Sequence, residues 1–174
     1  MKRYQMTVLI FILALSLSGC ISNPYKSGVK ALENKEYEEA AEKFSEAVKK
    51  DKNTADAYRG LGIALWETKD YKGAKDALEH ALKAGTEKTG TIYNLLGNCE
   101  LNLGNSKEAA RSFEMGLEEK DLSDELRQEM RFNTIVAYEQ MGDTETAKSL
   151  LAEYISEYPD DEDAAKEAEF LETR

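Results

Sequence analysis

Few side chains in this sequence are of a type that could carry out chemistry. His80 is the only histidine in 174 residues, and Cys20 and Cys99 are the only cysteines. General acid–base catalysis needs positioned partners, and His80 stands between Glu79 and Ala81 with no such set around it. The chain contains no His-Glu-x-x-His, no Cys-x-x-Cys and no glycine-rich phosphate loop. We therefore expect no enzyme activity, no cofactor and no metal site, and we expect His80 to be a surface residue.

Two further features invite a chemical interpretation but have simpler explanations. Cys99 lies in an apolar stretch with no cation or helix start nearby to activate a thiol, so we expect a small buried helix residue. If Cys20 is modified, Cys99 has no partner, and a disulfide framework is excluded. The acidic run at 160–163 lacks the ligand spacing of a calcium loop and suits the first turn of a helix, where the helix dipole favours negative charge.

The N-terminus has the layout of a secretory signal peptide. A basic start precedes an apolar stretch at 7–17, which is too short to span a bilayer comfortably. The Leu-Ser-Gly-Cys that ends at Cys20 resembles a bacterial lipobox. The resemblance implies cleavage after Gly19 and attachment of diacylglycerol and further acyl chains, such as palmitate, to Cys20, which together hold a protein stably on a membrane. An ordinary secretory signal cut near Gly19 and an uncleaved anchor are the alternatives.

Charge restricts the partners of the remaining chain. Removal of residues 1–19 takes away Lys2 and Arg3 and leaves 155 residues with 21 basic and 34 acidic side chains, a net charge of −13. Such a surface repels the phosphate backbone of nucleic acids and anionic lipid headgroups. We expect no nucleic acid partner, and we expect any membrane attachment to depend on the lipid alone. A chain of this length can form one domain with a shared core.

Small and large apolar residues recur about every 34 positions. Ala40, Ala74 and Ala109 are each followed four residues later by a large apolar residue, and apolar residues elsewhere recur at i, i+3, i+4 and i+7. A fixed period in this range is typical of a solenoid built from helix pairs. We predict an all-α chain with nine helices, at about 24–34, 37–50, 54–68, 71–84, 89–103, 106–120, 123–140, 145–158 and 162–171.

The helix-pair unit resembles the tetratricopeptide repeat. The second unit carries the family's residues in seven pattern positions, namely Tyr58, Leu61, Gly62, Leu65, Ala74, Leu78 and Ala81. The fourth unit departs from the pattern, with Ile135 in place of glycine, Tyr154 in place of alanine and four extra residues that we expect to lengthen its first helix by about a turn. The resemblance implies an α-solenoid: a signal peptide at 1–19, a lipidated cysteine and short tether at 20–23, repeats at 24–54, 55–89, 90–123 and 124–161, and a capping helix at 162–174.

In this family the first helix of each pair lines a concave groove. The family's groove positions fall here on a partly apolar strip with one cation and several amides: Tyr25, Val29, Leu32, Arg59, Ile63, Trp66, Asn94, Asn98, Leu101, Asn102, Phe132, Val136 and Glu139. The amides can pair with a peptide backbone and Trp66 can anchor a partner. The alternative is that several of these residues pack between neighbouring helices. Some members of the family bind C-terminal carboxylates with a cluster of Lys, Asn and Arg. Arg59 fits one position of that cluster, but Ile63, Leu95 and Glu129 stand at the others, so we do not expect a carboxylate clamp of this type.

The resemblance implies a bacterial lipoprotein on the extracytoplasmic side of the cell membrane or the outer membrane. It would bind a protein or peptide partner near the membrane and act as a scaffold or assembly factor in the cell envelope. Two other roles stay open: a non-catalytic organising subunit of an envelope enzyme complex, and a self-associating structural element. The sequence leaves the oligomeric state undetermined.

Overall fold

The chain folds into a row of antiparallel helix pairs. The structure, a computed structural model, describes residues 23–120 and 122–173; the predicted signal peptide at 1–19, Cys20 and the tether up to residue 22 lie outside them. The described residues form nine helices and no strand: α1 Pro24–Glu33, α2 Tyr37–Lys49, α3 Thr54–Glu67, α4 Tyr71–Lys83, α5 Gly90–Asn102, α6 Ser106–Leu117, α7 Asp124–Gln140, α8 Thr144–Glu157 and α9 Glu162–Glu172. The predicted all-α class is confirmed. None of the described helices is long and apolar enough to cross a bilayer.

Short turns with one left-handed residue join the helices of each pair. Each turn has three residues, and the middle one has a positive φ: 62° at Lys35, 64° at Lys69, and 78° at both Gly104 and Gly142. A left-handed residue ends a helix and reverses the chain while the last carbonyl groups keep hydrogen-bond partners. These turns place the two helices of each pair side by side. Gly85, which follows the end of α4, also has a positive φ, of 94°.

Side-chain caps start several helices. Asn23 caps α1 by accepting from the backbone N–H of Tyr25 at 3.1 Å, with Pro24 in the first helical position. Thr54, of a residue type favoured at N-caps, does not cap α3. It is the first residue of α3, and its hydroxyl donates to Asp51 Oδ1 at 2.5 Å. The cap position belongs to Asn53, which has a left-handed backbone and makes no side-chain hydrogen bond to the helix N–H groups.

Glycines of the first helices make room for large side chains of the second helices. A Cβ on Gly62 would lie 2.6 Å from Leu78 Cγ, and a Cβ on Gly97 would lie 2.4 Å from Phe113 Cε1. At Gly62 the backbone of α4 also comes close, because the Ala74 carbonyl oxygen would lie 3.3 Å from such a Cβ, whereas at Gly97 the ring of Phe113 alone fills the space. The alanines of the second helices, Ala40, Ala74, Ala109 and Ala147, are fully buried.

The fourth pair is built differently. Its first helix, α7, has 17 residues against 13 in α5, which confirms the predicted extra turn. Ile135 is buried where the earlier pairs have glycine, and Tyr154 is buried where they have a small residue. The packing between α7 and α8 is also less extensive than that between α3 and α4. The capping helix α9 covers the exposed side of α8.

Candidate functional site

The first helices of successive pairs lie next to one another along the array. α1 contacts α3, α3 contacts α5, and α5 contacts α7, whereas the second helices do not contact their successors to a comparable extent. The side on which successive helices come closest is the inner side of a curved array. The predicted groove residues lie on α1, α3, α5 and α7, and we call the surface formed by these four helices the inner groove.

The groove residues of α1 pack mainly within the protein. Tyr25, Val29 and Leu32 are half-buried and lie against the core formed by Phe44 and the neighbouring alanines. The ring of Tyr25 meets the ring of Phe44 edge to face, with centroids 6.0 Å apart. These three side chains therefore pack against the core and contribute only part of their surface to the groove. This agrees with the alternative that several of the predicted groove residues pack between neighbouring helices.

The middle of the inner groove, on α3, keeps both a cation and apolar surface accessible. Arg59 is exposed and forms an ion pair with Asp56 at 3.2 Å. Ile63 and Trp66 are half-buried. The Trp66 indole lies against the ring of Tyr71, with centroids 5.1 Å apart and planes at 54°. This contact holds the indole in one orientation while part of it remains accessible to a partner.

Amide side chains connect α5 to α7 across the inner groove. Asn94, only 8% exposed, donates from Nδ2 to Glu129 Oε1 at 2.9 Å, and Asn98 donates to Asn94 Oδ1 at 3.2 Å. Asn133 in turn donates to Asn98 Oδ1 at 3.2 Å, and the exposed Asn102 donates to the Asn98 carbonyl oxygen at 2.8 Å. We call these five residues the asparagine network.

Two members of the asparagine network were not assigned to the groove from the sequence. Glu129 and Asn133 are four residues apart and therefore share a face of α7. Their partners lie 35 residues earlier in the chain, about one repeat period, so a comparison of equivalent positions in consecutive units could have paired them. The network fixes the orientation of the amides that the sequence singled out.

The remaining groove residues differ in how available they are. Leu101 packs against the core that contains Phe113 and Met130. Phe132 packs against the core of the fourth pair, with its ring 5.6 Å from that of Tyr154. Val136 is half-buried on the same face of α7.

Glu139, the last of the predicted groove residues, lies in an unusual environment. Its Oε1 is buried and has no hydrogen-bond partner among the described residues. Burial, with a further contribution from the charge of Glu167 on α9, raises the pKa of Glu139 above its usual range. Burial therefore disfavours the ionised form of this carboxyl group at the end of the inner groove.

The side chains considered for chemistry have ordinary structural roles. His80 is exposed and its ring stacks on that of Tyr58, with centroids 5.0 Å apart. Cys99 is completely buried, and desolvation raises the pKa of its thiol to about 12. Within 23–120 and 122–173, no group of three or more histidine, cysteine or acidic side chains is arranged to hold a metal ion.

In the acidic run, one residue has a specific structural task. Asp161 caps α9 by accepting from the N–H groups of Asp163 and Ala164, and it also accepts from the Tyr154 hydroxyl at 2.6 Å. These hydrogen bonds, that from Tyr154 first, lower the pKa of Asp161. Gln128 of α7 donates to the same tyrosine oxygen at 3.0 Å. Asp161 therefore links the start of α9 to α7 and α8 through the Tyr154 hydroxyl.

Solved structures and known proteins similar to this chain are built from the same repeat. The crystal structure of YrrB, described as a TPR protein with an unusual peptide-binding site, superimposes with a TM-score of 0.72 at 27% identity, over 85% of this chain and 74% of that one. Two structures of MamA, one from Desulfovibrio magneticus RS-1, give TM-scores of 0.72 and 0.71 at 16% and 18% identity, over 85% and 87% of this chain and 78% and 82% of theirs. The likeness to MamA concerns the fold.

One known relative is the TPR repeat-containing protein YsoA of Bacillus subtilis (strain 168), 31% identical over 97 residues. The match covers 56% of this chain and 29% of YsoA, so the chain spans less than a third of that relative's length. Tetratricopeptide repeat models match residues 25–86 and 70–124, and a second tetratricopeptide model matches 129–161. More than half of the sequence fits these models, and the chain belongs to the tetratricopeptide repeat family.

Proposed function

We propose that this chain is a membrane-anchored binding protein that holds a peptide segment of a partner in its inner groove. The asparagine network carries the proposal. Asparagine offers both donors and an acceptor, so the accessible amides of Asn98, Asn102 and Asn133 can pair with the N–H and C=O groups of an extended peptide, while the buried Asn94 holds them in place. Because neighbouring side chains fix these amides, little side-chain entropy is lost on binding.

Apolar contacts beside the network would supply most of the affinity. Ile63 and Trp66 lie on α3, next to the amides of α5, and both keep accessible surface. Aromatic side chains in partly enclosed positions dominate the energetics of many interfaces. YrrB, at 27% identity, is described as having a peptide-binding site, which is consistent with the same use of the fold here.

The membrane half of the proposal depends on Cys20. A lipid at Cys20 would leave a tether of about four residues, with a reach of at most ~14 Å, before α1 begins. The repeats would then lie close to the outer face of the membrane and meet partners that are embedded in it or bound to it. We propose a role as a scaffold or assembly factor of a bacterial cell envelope.

Photo-crosslinking in the producing cells tests the groove. A photoreactive phenylalanine analogue in place of Ile63 should crosslink a defined partner, and Arg59→Glu combined with Trp66→Ala should abolish the crosslink. The matched control combines Lys72→Glu with Tyr37→Ala on the second helices, with the same change in charge and the loss of one ring. If the groove variant and the control crosslink the same partner equally, the binding surface lies elsewhere.

Fractionation of Cys20→Ala tests the anchor. The wild-type chain should sediment with membranes and leave them only with detergent, whereas Cys20→Ala should appear in the soluble extracytoplasmic fraction. Retention of Cys20→Ala on membranes would contradict lipidation as the means of attachment, without bearing on the groove.

A further inference from the structure

A cavity lies on the face of α7 opposite to the inner groove. We call it the outer cleft: it has a volume of about 370 Å³ and is bounded by Leu117 of α6, by Arg127, Arg131, Thr134 and Tyr138 of α7, and by Leu150 of α8. The α7 positions recur at intervals of four, three and four residues and so share one helix face. Phe132 and Val136 of the inner groove point the other way.

The outer cleft lies beside the pair of helices that departs from the repeat pattern. In the second and third pairs, glycine admits a large side chain and the helices close tightly. Ile135 occupies the equivalent position in α7 and is 1% exposed. The packing between α7 and α8 is less extensive than that between α3 and α4, and the outer cleft lies beside this looser pair, where residues of α6, α7 and α8 line it. This volume falls within the range of ligand-binding pockets.

The outer cleft continues into a second depression between the N-terminal half of α6 and the C-terminal end of α7. This depression has a volume of about 320 Å³, shares Glu114 and Tyr138 with the first, and is lined by Lys107, Arg111 and Met141. The Tyr138 hydroxyl donates to Glu114 Oε1 at 3.0 Å and forms the divider between the two spaces. Two apolar spaces in a row suit an extended chain with side chains in both, rather than one compact small molecule.

Basic side chains outnumber acidic ones around the outer cleft and the adjoining depression, although the chain carries a net charge of −11. Four of the side chains that line the two spaces are basic and two, Glu108 and Glu114, are acidic. Arg131 is neutralised by an ion pair with Glu157. No ion pair within the described residues involves Lys107, Arg111 or Arg127. These cations are available to an anionic partner.

We propose that the outer cleft binds an acidic peptide segment in which a large apolar side chain is followed by aspartate or glutamate. The apolar side chain enters the space between Leu117 and Leu150, and the carboxylate meets the planar, two-pronged guanidinium of Arg127. A second carboxylate further along the segment meets Arg111 and Lys107. This site is separate from the inner groove, so the chain has two binding surfaces, one on each face of α7.

Selection from a random-peptide display library tests the outer cleft. The library is enriched on the wild-type chain, and the enriched peptides are then measured by fluorescence anisotropy against Arg111→Glu combined with Arg127→Glu. We expect peptides that pair an acidic with a large apolar residue, an affinity loss of tenfold or more in the double variant, and a smaller loss for Arg127→Lys. Arg111 and Arg127 make no ion pair among the described residues, so melting temperatures should confirm that the variants fold.

The matched control combines Lys49→Glu with Lys72→Glu, which makes the same change in charge at exposed positions of α2 and α4. Equal losses in the control and the cleft variant would reduce the effect to overall charge and overturn the proposal. Enriched peptides without acidic residues, or peptides whose binding ignores Arg111 and Arg127, would overturn it as well. Since the groove variant Arg59→Glu with Trp66→Ala should leave these peptides bound, a failure here is distinguishable from a failure of the inner groove.

Discussion

Substitution of Gly97 by alanine tests the packing rule that builds the array. The added Cβ would lie 2.4 Å from Phe113 Cε1, and contacts between carbon atoms are favourable only at about 3.5–4.0 Å, so the ring must move by about 1 Å. Phe113 is completely buried and has no open space to enter. Overpacking costs about 1–3 kcal/mol, and the better helix propensity of alanine returns about 1 kcal/mol.

Because Phe113 has no open space to enter, we expect an overpacking cost in the upper part of that range. After the gain in helix propensity, Gly97→Ala should lower the free energy of unfolding by about 1–2 kcal/mol. The melting temperature should fall by about 2–8 °C, since 1 kcal/mol shifts a domain of this size by about 2–4 °C. Urea denaturation followed by circular dichroism measures the change directly. Thr91→Ala, at an exposed position of the same helix, is the control and should leave stability unchanged or slightly raised.

A double-mutant cycle with Phe113→Leu separates the clash from any general effect on α5. A smaller side chain at position 113 relieves the contact, so the two substitutions together should destabilise less than the sum of each alone by at least ~0.5 kcal/mol. Gly97→Ala that is as stable as the wild type, or a cycle that is simply additive, would refute the reasoning.

Two further predictions concern titrating groups. Because the pKa of Glu139 is raised in the folded protein, stability is lost as pH rises from its ordinary pKa through the raised value, and the cost is fully present above the raised value. Glu139→Gln should therefore melt at a higher temperature than the wild type at pH 7 and at the same temperature near pH 3; an equal or lower value at pH 7 would contradict this. The pKa of about 12 leaves about one Cys99 thiol in 10⁴ ionised at pH 8, so in a Cys20→Ala background Ellman's reagent should react only after urea unfolds the chain. Rapid reaction of the native protein would show that the thiol is accessible.

Much of the fold could be predicted from the sequence because its determinants are local and repeated. The apolar spacing and the turn residues placed all nine helices with ends within three residues of those observed. The recurring alanines and glycines indicated the pairing of helices, and the family followed from the same positions. These signals are readable because each repeat is stabilised mainly by its own two helices and its neighbours.

Tertiary structure decided which of the predicted groove residues are available and what surrounds them. Leu101 and Phe132 turned out to pack against the core, and Asn94 to be held by Glu129, because these contacts join residues far apart in the chain. The outer cleft likewise combines residues of α6, α7 and α8, which only the three-dimensional arrangement brings together. A side chain's spacing selects the face of the helix on which it lies, but its exposure and charge environment depend on the helices that fold against that face.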